Sequence, residues 1–268
     1  MAKNALLVEN LEKYFPPTLT GWRALLQPFS KLTLRALAGV SFSVAPGEVL
    51  ALIGANGAGK STLLRILATL FLPTRGRAEV AGFDVTREPA RVRRQLGYHT
   101  GADGGFYGRL SARENLEFFA ALNNLPRSEA SRNIARVADL LGLGTVLDRQ
   151  VRTLSTGTVH RLGLARALLH GPRVLLLDEP TRSLDPLAAA EFRRFLKEDL
   201  VRQHGTTLLF ASHTLAEVEQ LADRVALLEE GRLLAWDTLR GLLAAARAAT
   251  FEQALQKLTG RAHPETRP

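Results

Sequence analysis

The feature that most constrains this chain is a glycine-rich segment between an apolar run and a helical pattern. The segment GANGAGKST occupies residues 54–62, directly after Val49–Ile53. Its GxxxxGK[ST] spacing is typical of a loop whose backbone N–H groups surround phosphate oxygens, and the helix that follows adds partial positive charge. The alternative is a glycine-rich turn that binds nothing. The sequence therefore predicts a phosphate-binding loop on an α/β fold.

The residue types in this loop indicate a nucleoside triphosphate and a divalent cation. Lys60 is expected to reach the β- and γ-phosphates of ATP, and Ser61 is expected to offer its hydroxyl to Mg²⁺. The other loop residues expected to contact ATP are Gly54, Asn56, Gly57, Ala58, Gly59 and Thr62.

A second chemical signal is an apolar strand that ends in two carboxylates. Residues 174–177 are apolar, and Asp178 and Glu179 follow them. Asp178 is expected to hold Mg²⁺, directly or through water, and Glu179 is expected to polarise the attacking water as general base. Many buried strands end in acids, so a plain strand-end cap is the alternative. A phosphate-binding loop upstream disfavours that alternative.

A second anion site is indicated where Ser155 and Gly157 open a helical pattern. Residues 153–158 read TLSTGT and precede a further run at 159–169. A helix N-terminus suits a phosphate, although an N-cap serine is the bland alternative. Because the loop at 54–62 already holds its own nucleotide, a second phosphate site fits ATP shared between two chains.

Two more residues follow the carboxylates in chain order. Asp185 ends the segment 183–185, just past Glu179, and His213 comes after the apolar run 208–211. A lone histidine at a strand end is usually structural. His213 nevertheless lies where a contact to the γ-phosphate is needed, so we group it with Lys60 and Glu179 as catalytic.

Together these segments resemble the ATP-binding cassette (ABC) family over nearly the whole chain. The resemblance implies that residues 154–158 are the signature motif, that residues 183–185 are the D-loop and that His213 is the switch histidine. It also implies that Phe15, or its neighbour Tyr14, stacks on adenine. The family arrangement is a head-to-tail dimer with two ATP molecules at the interface. Ser155 and Gly157 of one chain then face the other chain's loop, and Asp185 is grouped with them as an ATP contact.

The fold class follows from apolar runs that alternate with helical patterns. Strands are predicted at residues 6–11, 37–44, 49–53, 174–177, 208–211 and 225–228, and a helix at 60–70. This alternation favours a mainly parallel sheet with helices on its faces. The family resemblance makes it a P-loop NTPase with a RecA-like core, an N-terminal antiparallel β portion and an inserted helical subdomain at about 102–158. The ATP-binding domain is expected over 1–240, with a short tail at 241–268.

The resemblance is closer to ATPases of drug, sodium and polysaccharide exporters, with a mixed subgroup signal. Residues 113–119 are similar to the helical subdomain of this whole group. The ending FEQALQKLTG at 251–260 is similar to the drug-export branch, whereas the long stretch at 15–37 is similar to the polysaccharide branch. The signature reads LSTGT where LSGGQ is usual. A helix facing a partner is predicted at 21–31 from the spacing of its apolar residues, with packing against this chain's own core as the alternative.

The glutamine that the family places before the helical subdomain is missing. Its position falls on Gly101, in the segment that begins GYHTGADGG at residue 97. Asp103 or His99 is expected to make the polar contact instead, and a carboxylate would suit Mg²⁺ better than an imidazole. The alternative is an alignment that is shifted by a residue or two.

Composition and charge limit the partners and the location that we expect for this chain. The chain has a net charge of +9 and no cysteine, and its arginines are scattered rather than clustered, so no direct nucleic-acid partner is expected. No apolar run approaches the ~20 residues that span a bilayer. The chain is therefore expected in the cytosol unless a partner holds it at a membrane. The family resemblance implies a homodimer in the cytoplasm, peripheral on the inner face of the cell membrane, that drives export through an integral membrane permease. The alternatives are a soluble ABC-type ATPase acting on nucleic acid or the ribosome, and a non-transport regulatory ATPase.

Overall fold

A computed structural model describes the chain over residues 4–16, 34–100, 105–182 and 184–260. The helix predicted at 21–31, the glutamine position at Gly101 and the substitute Asp103 lie outside the described residues. Ser183 of the D-loop segment does so as well.

The larger sheet is mainly parallel and carries the central strands. Its strands are β3 (Val49–Ile53), β6 (Leu96–His99), β7 (Val174–Asp178), β8 (Thr207–Ala211), β9 (Arg224–Glu229) and β10 (Arg232–Thr238), in the order β10-β9-β3-β8-β7-β6. All neighbours are parallel except β9 and β10. Every residue of β3, β7 and β8 is buried, as expected for strands covered on both faces.

The smaller sheet is antiparallel and is built mostly from the N-terminal part of the chain. It contains β1 (Leu6–Phe15), β2 (Leu34–Val44), β4 (Arg75–Val80) and β5 (Phe83–Asp84), in the order β2-β1-β4-β5. The predicted fold class, a mainly parallel sheet with an N-terminal antiparallel portion, is confirmed.

Helices cover both faces of the parallel sheet. They are α1 (Lys60–Leu67), α2 (Pro89–Gln95), α3 (Ala112–Leu122), α4 (Arg127–Leu140), α5 (Thr156–Leu168), α6 (Pro186–Arg194) with its π-helical continuation Phe195–Gln203, α7 (Leu215–Leu221), α8 (Leu239–Ala246) and α9 (Phe251–Thr259), together with single turns at Gly144–Val146 and Val151–Thr153. Ser111 begins α3 with a reciprocal pair of hydrogen bonds to Glu114, a strong start signal. Across the described ranges, no helix is both long and apolar enough to cross a membrane.

Alternation along the central strands divides the core into two layers. In β3, Val49, Ala51 and Ile53 join the layer that contains α3, α4 and α5, whereas Leu50 and Leu52 join the layer that contains α1 and the antiparallel sheet. This period of two places one parallel sheet between two apolar layers. The ends of its strands are therefore held rigidly, which is what a site at those ends requires.

The structure differs from the sequence expectations in several elements. The sequence did not predict five elements, namely β4, β5, β6, β10 and α2. Helix α1 ends at Leu67 rather than at the predicted residue 70. The expected tail at 241–268 contains helices as far as it is described. Leu242, Phe251 and Ala254 are buried there, and Leu242 and Phe251 belong to the larger core layer. The domain limits at 102–158 and at 240 stay predictions.

A buried pair of histidines joins β6 to α5. His99 and His160 are each 1% exposed, and their Nε2 atoms lie 3.2 Å apart. A Cβ added at Gly163 would lie 2.7 Å from Cε1 of His99, so glycine at this position makes room for the ring. Burial, with smaller effects from His160 and Arg166, lowers the pKa of His99 to about 3. The folded protein therefore holds this imidazole neutral.

We predict a loss of stability in mild acid that depends on His99. Because the pKa of His99 lies below its unfolded value, its contribution is present above pH 6.5 and is lost as the pH falls towards 3. At pH 5 this amounts to about 2 kcal/mol. Denaturant unfolding of the wild type and of His99→Leu between pH 5 and 7.5 should show a shallower slope in the variant. His204→Gln, at an exposed position, is the control and should keep the wild-type slope. Equal slopes in all three proteins would contradict this prediction.

Candidate functional site

The glycine-rich loop lines a cavity of about 590 Å³. This volume is in the range of small-molecule sites in proteins. The lining residues are Phe15, Leu34, Arg35, Ala36, Asn56, Gly57, Ala58, Gly59, Lys60, Ser61, Thr62, Thr100, Asp178, Glu179 and Arg182. The structure thus brings the predicted loop together with both predicted carboxylates.

Two glycines of the loop occupy positions where no other residue fits. Gly59 has φ of +105°, and a Cβ there would lie 2.5 Å from the carbonyl oxygen of Ala36. Gly54 has φ of +147°, and a Cβ there would lie 2.1 Å from the carbonyl oxygen of Leu228. Both the left-handed backbone and the close packing require glycine. The loop is therefore held against β2 and β9 in a fixed conformation.

Lys60 begins α1 and lies across the loop. Its Nζ donates hydrogen bonds to the carbonyl oxygens of Gly54, at 2.6 Å, and Ala55, at 3.1 Å. Burial lowers the pKa of Lys60, and the negative charges of Glu179 and Asp178 oppose that shift. Because the ammonium group is partly removed from water, a bound anion such as a phosphate would reduce the cost of burying its charge.

Asp178 and Glu179 stand at the carboxyl end of β7. Asp178 is the last residue of the strand and is 9% exposed. Glu179 has φ of +55°, which is uncommon for a residue with a side chain, and its N–H donates to the carbonyl oxygen of Ala211 at 2.9 Å. The Oε2 atom of its carboxylate is in contact with Nδ1 of His213. Strained backbone of this kind concentrates at functional sites.

The donor set fits a hard divalent cation and a phosphate chain. The Ser61 hydroxyl and the Asp178 carboxylate line the same cavity, and oxygen ligands of this type suit Mg²⁺. The phosphate side is formed by the backbone of a loop in which glycine is obligatory at two positions, beside the ammonium group of Lys60.

Ser155, Gly157 and Asp185 lie in a different place, a second cavity of about 700 Å³. Of the described residues, none lines both cavities. Ser155 is the N-cap of α5 and accepts a hydrogen bond from the N–H of Thr158. Asp185 caps α6 through the N–H groups of Leu187 and Ala188, each at 3.0 Å. The residues predicted for one nucleotide site therefore occupy two separate regions of a single chain.

The residues predicted to contact adenine and to replace the missing glutamine can now be compared with the lining of the first cavity. Phe15 lines it and packs edge-on against Phe71, whereas Tyr14 does not belong to the described lining. His99, one candidate to replace the glutamine, points to His160 in the core instead of into the cavity. Its neighbour Thr100 does line the cavity.

Sequence reasoning missed Arg35, Thr100 and Arg182 as cavity residues. Arg182 follows the two carboxylates by three residues, and this proximity in the chain to Glu179 was the available signal. Thr100 lies in the segment considered for the missing glutamine, directly before Gly101, but was not itself selected. For Arg35, the signal exists only in the fold.

Comparisons with known proteins agree with this geometry. A family model described as "ABC transporter" matches residues 37–182. The ABC transporter ATP-binding protein NatA of Bacillus subtilis is 36% identical over 212 residues, which cover 79% of this chain and 85% of NatA. The daunorubicin/doxorubicin resistance ATP-binding protein DrrA of Streptomyces peucetius is 40% identical over 210 residues, 76% of this chain and 61% of DrrA. This chain thus spans less than two thirds of DrrA.

A solved structure extends the agreement over almost the whole chain. The cbiO1 protein of Clostridium perfringens, part of the ABC transporter complex cbiONQ, aligns with a TM-score of 0.76 at 25% identity. The alignment covers 97% of this chain and 96% of that one.

We predict that Gly59→Ala abolishes tight nucleotide binding. The new Cβ would collide with the backbone of Ala36, so the loop must move and its N–H groups lose their arrangement. Isothermal titration should show ATP affinity reduced at least about tenfold. Gly171→Ala is the control, because Gly171 also has positive φ but has open space around it and lies outside the cavity. That variant should lose about 1 kcal/mol of stability and keep wild-type affinity. Equal affinities in both variants would contradict the prediction.

Proposed function

The chain belongs to the family of ABC transporter ATP-binding proteins, and on that premise we propose that it powers export as a head-to-tail dimer. It is an ATPase, as its family is. In the proposed complex, two copies enclose two ATP molecules and act on a separate membrane permease. Closure of the dimer on ATP and reopening after hydrolysis supply the motion.

The separation of the two cavities carries the proposal of a dimer. Lys60, Asp178 and Glu179 line one cavity of the chain, and Ser155 and Gly157 line another. A closed site that needs both sets is obtained when the second cavity of one copy covers the first cavity of another. A two-fold arrangement satisfies both copies at once and produces two equivalent sites.

Lys60 and Glu179 of the first cavity, together with His213 beside Glu179, have tasks in hydrolysis. Lys60 neutralises the phosphate charge, which stabilises the negative charge that grows on the transferred group. Glu179 accepts a proton from the attacking water, and the fixed backbone of Glu179 sets the direction of its carboxylate. His213 pairs with that carboxylate and orients it, and its exposed edge is available to the γ-phosphate.

The remaining ligand contacts are assigned from the same lining. Ser61 and Asp178 would hold Mg²⁺, which offsets phosphate charge when it is bound. Phe15 would stack on the adenine ring, because it lies in the cavity wall. The Nζ atom of Lys13 lies 4.9 Å from the centroid of the same ring. Asn56 and the loop backbone from Gly54 to Thr62 would surround the phosphates.

The names of two relatives favour export over another use of ATP. DrrA is named for resistance to a drug, and NatA is named as a transporter subunit. The permease would be a separate chain, and this subunit would sit at its cytoplasmic side. An ABC-type ATPase acting on nucleic acid, or a regulatory ATPase, remains the alternative function. Co-purification of an integral membrane protein with a tagged copy of this chain would support the permease partner, and its consistent absence from membrane extracts would count against it.

The role of Glu179 is tested by removing its charge. Glu179→Gln should keep ATP affinity within about twofold and reduce kcat by about 10²–10⁴, the range for a positioned base. Because ATP is then retained, the variant should accumulate as a dimer in light scattering with ATP and Mg²⁺. Glu117→Gln, at an exposed position of α3, is the control and should behave as wild type. Unchanged turnover in Glu179→Gln would remove Glu179 from this role.

The shared site is tested by mixing two inactive variants. Lys60→Ala disables the first cavity and Ser155→Arg disables the second, so a mixed dimer contains one intact site. Activity of a 1:1 mixture should rise to about a quarter of the wild-type rate if the two sites act independently. Ser131→Arg, which places the same bulk on the exposed side of α4, is the control and should be active alone. If mixed dimers form, as shown by pull-down with two tags, and activity does not recover, the shared site is wrong.

A further inference from the structure

Glu217 is a buried carboxyl group that lies outside both cavities. It belongs to α7 and is 1% exposed. The hydroxyl of Ser212, also 1% exposed, donates to its Oε2 at 2.5 Å. Acidic side chains are rarely buried this completely without a specific partner. Ser212 directly precedes His213 in the chain, so the hydrogen bond between Ser212 and Glu217 helps to fix the segment that carries this histidine.

Ser212 is held from three sides. Its N–H donates to the carbonyl oxygen of Leu52 in β3 at 3.1 Å. Its hydroxyl oxygen accepts from the N–H of Thr214 at 3.0 Å while its proton goes to Glu217. The residues before and after His213 are therefore both fixed through one hydroxyl group. The backbone of His213 has little freedom as long as that hydroxyl is oriented by Glu217.

The same carboxyl group reaches the segment that carries Glu179. Burial raises the pKa of Glu217, the hydrogen bonds from Ser212 and Thr181 and the charge of Arg193 oppose this shift, and the charge of Glu179 reinforces it. Thr181 is two residues beyond Glu179. On the other side, the N–H of Glu179 is bound to Ala211, which precedes Ser212. Glu217 thus has contacts with Ser212 and Thr181, which lie next to His213 and two residues beyond Glu179 in the chain.

We propose that Glu217 is a positioning residue, which holds His213 against Glu179 by orienting the hydroxyl of Ser212. The proposal rests on the proposed roles of Glu179 and His213 in hydrolysis. Glu217 does not line the first cavity, so its effect on hydrolysis would pass through His213 alone. A carboxyl group that merely stabilised α7 would instead affect unfolding and nucleotide affinity, with no dependence on His213.

The size of the effect follows from geometry. A displacement of about 1 Å in a catalytic group can cost on the order of 10²-fold in rate. Losing the orientation of one hydroxyl is a smaller disturbance, so we expect a loss of about tenfold in kcat. ATP affinity should change little, because neither Ser212 nor Glu217 lines the first cavity.

The experiment is a double-mutant cycle in the full chain, measured as kcat and KM for ATP hydrolysis. Glu217→Met removes the acceptor at similar volume, Ser212→Ala removes the hydroxyl, and Glu217→Gln keeps an acceptor for Ser212. Each change is also made in His213→Ala. Glu219→Gln, at an exposed position two residues further along α7, is the matched control. Thermal unfolding is recorded for every variant.

The expected result is a kcat reduced about tenfold in Glu217→Met and Ser212→Ala, with KM within about twofold of wild type and Glu217→Gln retaining most of the rate. In the His213→Ala background these changes should not reduce kcat further, as expected for residues that act through one another. If Glu217→Met does not fold, the Ser212→Ala arm carries the same test.

Two results would overturn the inference. One is an equal loss of kcat with and without His213, and the other is an unchanged kcat in Ser212→Ala and Glu217→Met while His213→Ala is impaired. If His213→Ala itself has wild-type kcat, the proposed role of His213 fails first, and the inference fails with it. The single variants distinguish the second and third cases, and the double variants with His213→Ala identify the first.

Discussion

The burial of β3, β7 and β8 on both faces is the constraint on which the rest of the structure depends. These strands are apolar throughout because one apolar layer lies on each side of them. Their register is then fixed, since a shift by one residue would exchange the two layers. The loop after β3, the carboxylates after β7 and the histidine after β8 consequently emerge side by side at one edge of the sheet.

The charged groups at that end of the sheet have partners within the chain. Lys60 donates to carbonyl oxygens of its own loop, and Glu179 is in contact with His213. A phosphate chain with its cation would replace the carbonyl contacts of Lys60 with stronger charged ones. The contact of Glu179 with His213 needs no such exchange, so in the proposed mechanism it keeps the Glu179 carboxylate oriented when the nucleotide binds.

The sequence was informative where a local pattern determines the structure and uninformative where distant contacts do. The loop at 54–62 and the strand before Asp178 were predictable because glycine spacing and apolar runs are local. β6 was not, because Gly97, Tyr98 and His99 have no apolar pattern and this strand is buried through its packing on α5. Arg35 reaches the cavity only because β2 pairs with β1, and Glu217 acquires its position from the packing of α7.

The histidine pair shows how a departure from the family pattern can be accommodated by packing. The strand that leads to the missing glutamine ends in His99, and α5, which begins at the signature residues, contains His160. Their contact joins the end of the core strand to the helix whose N-terminus belongs to the second cavity. Because both rings are buried and Gly163 leaves space for one of them, the end of β6 is packed directly against α5. The strand before the missing glutamine is therefore held by side chains in the core, independently of the residue that stands at the glutamine position.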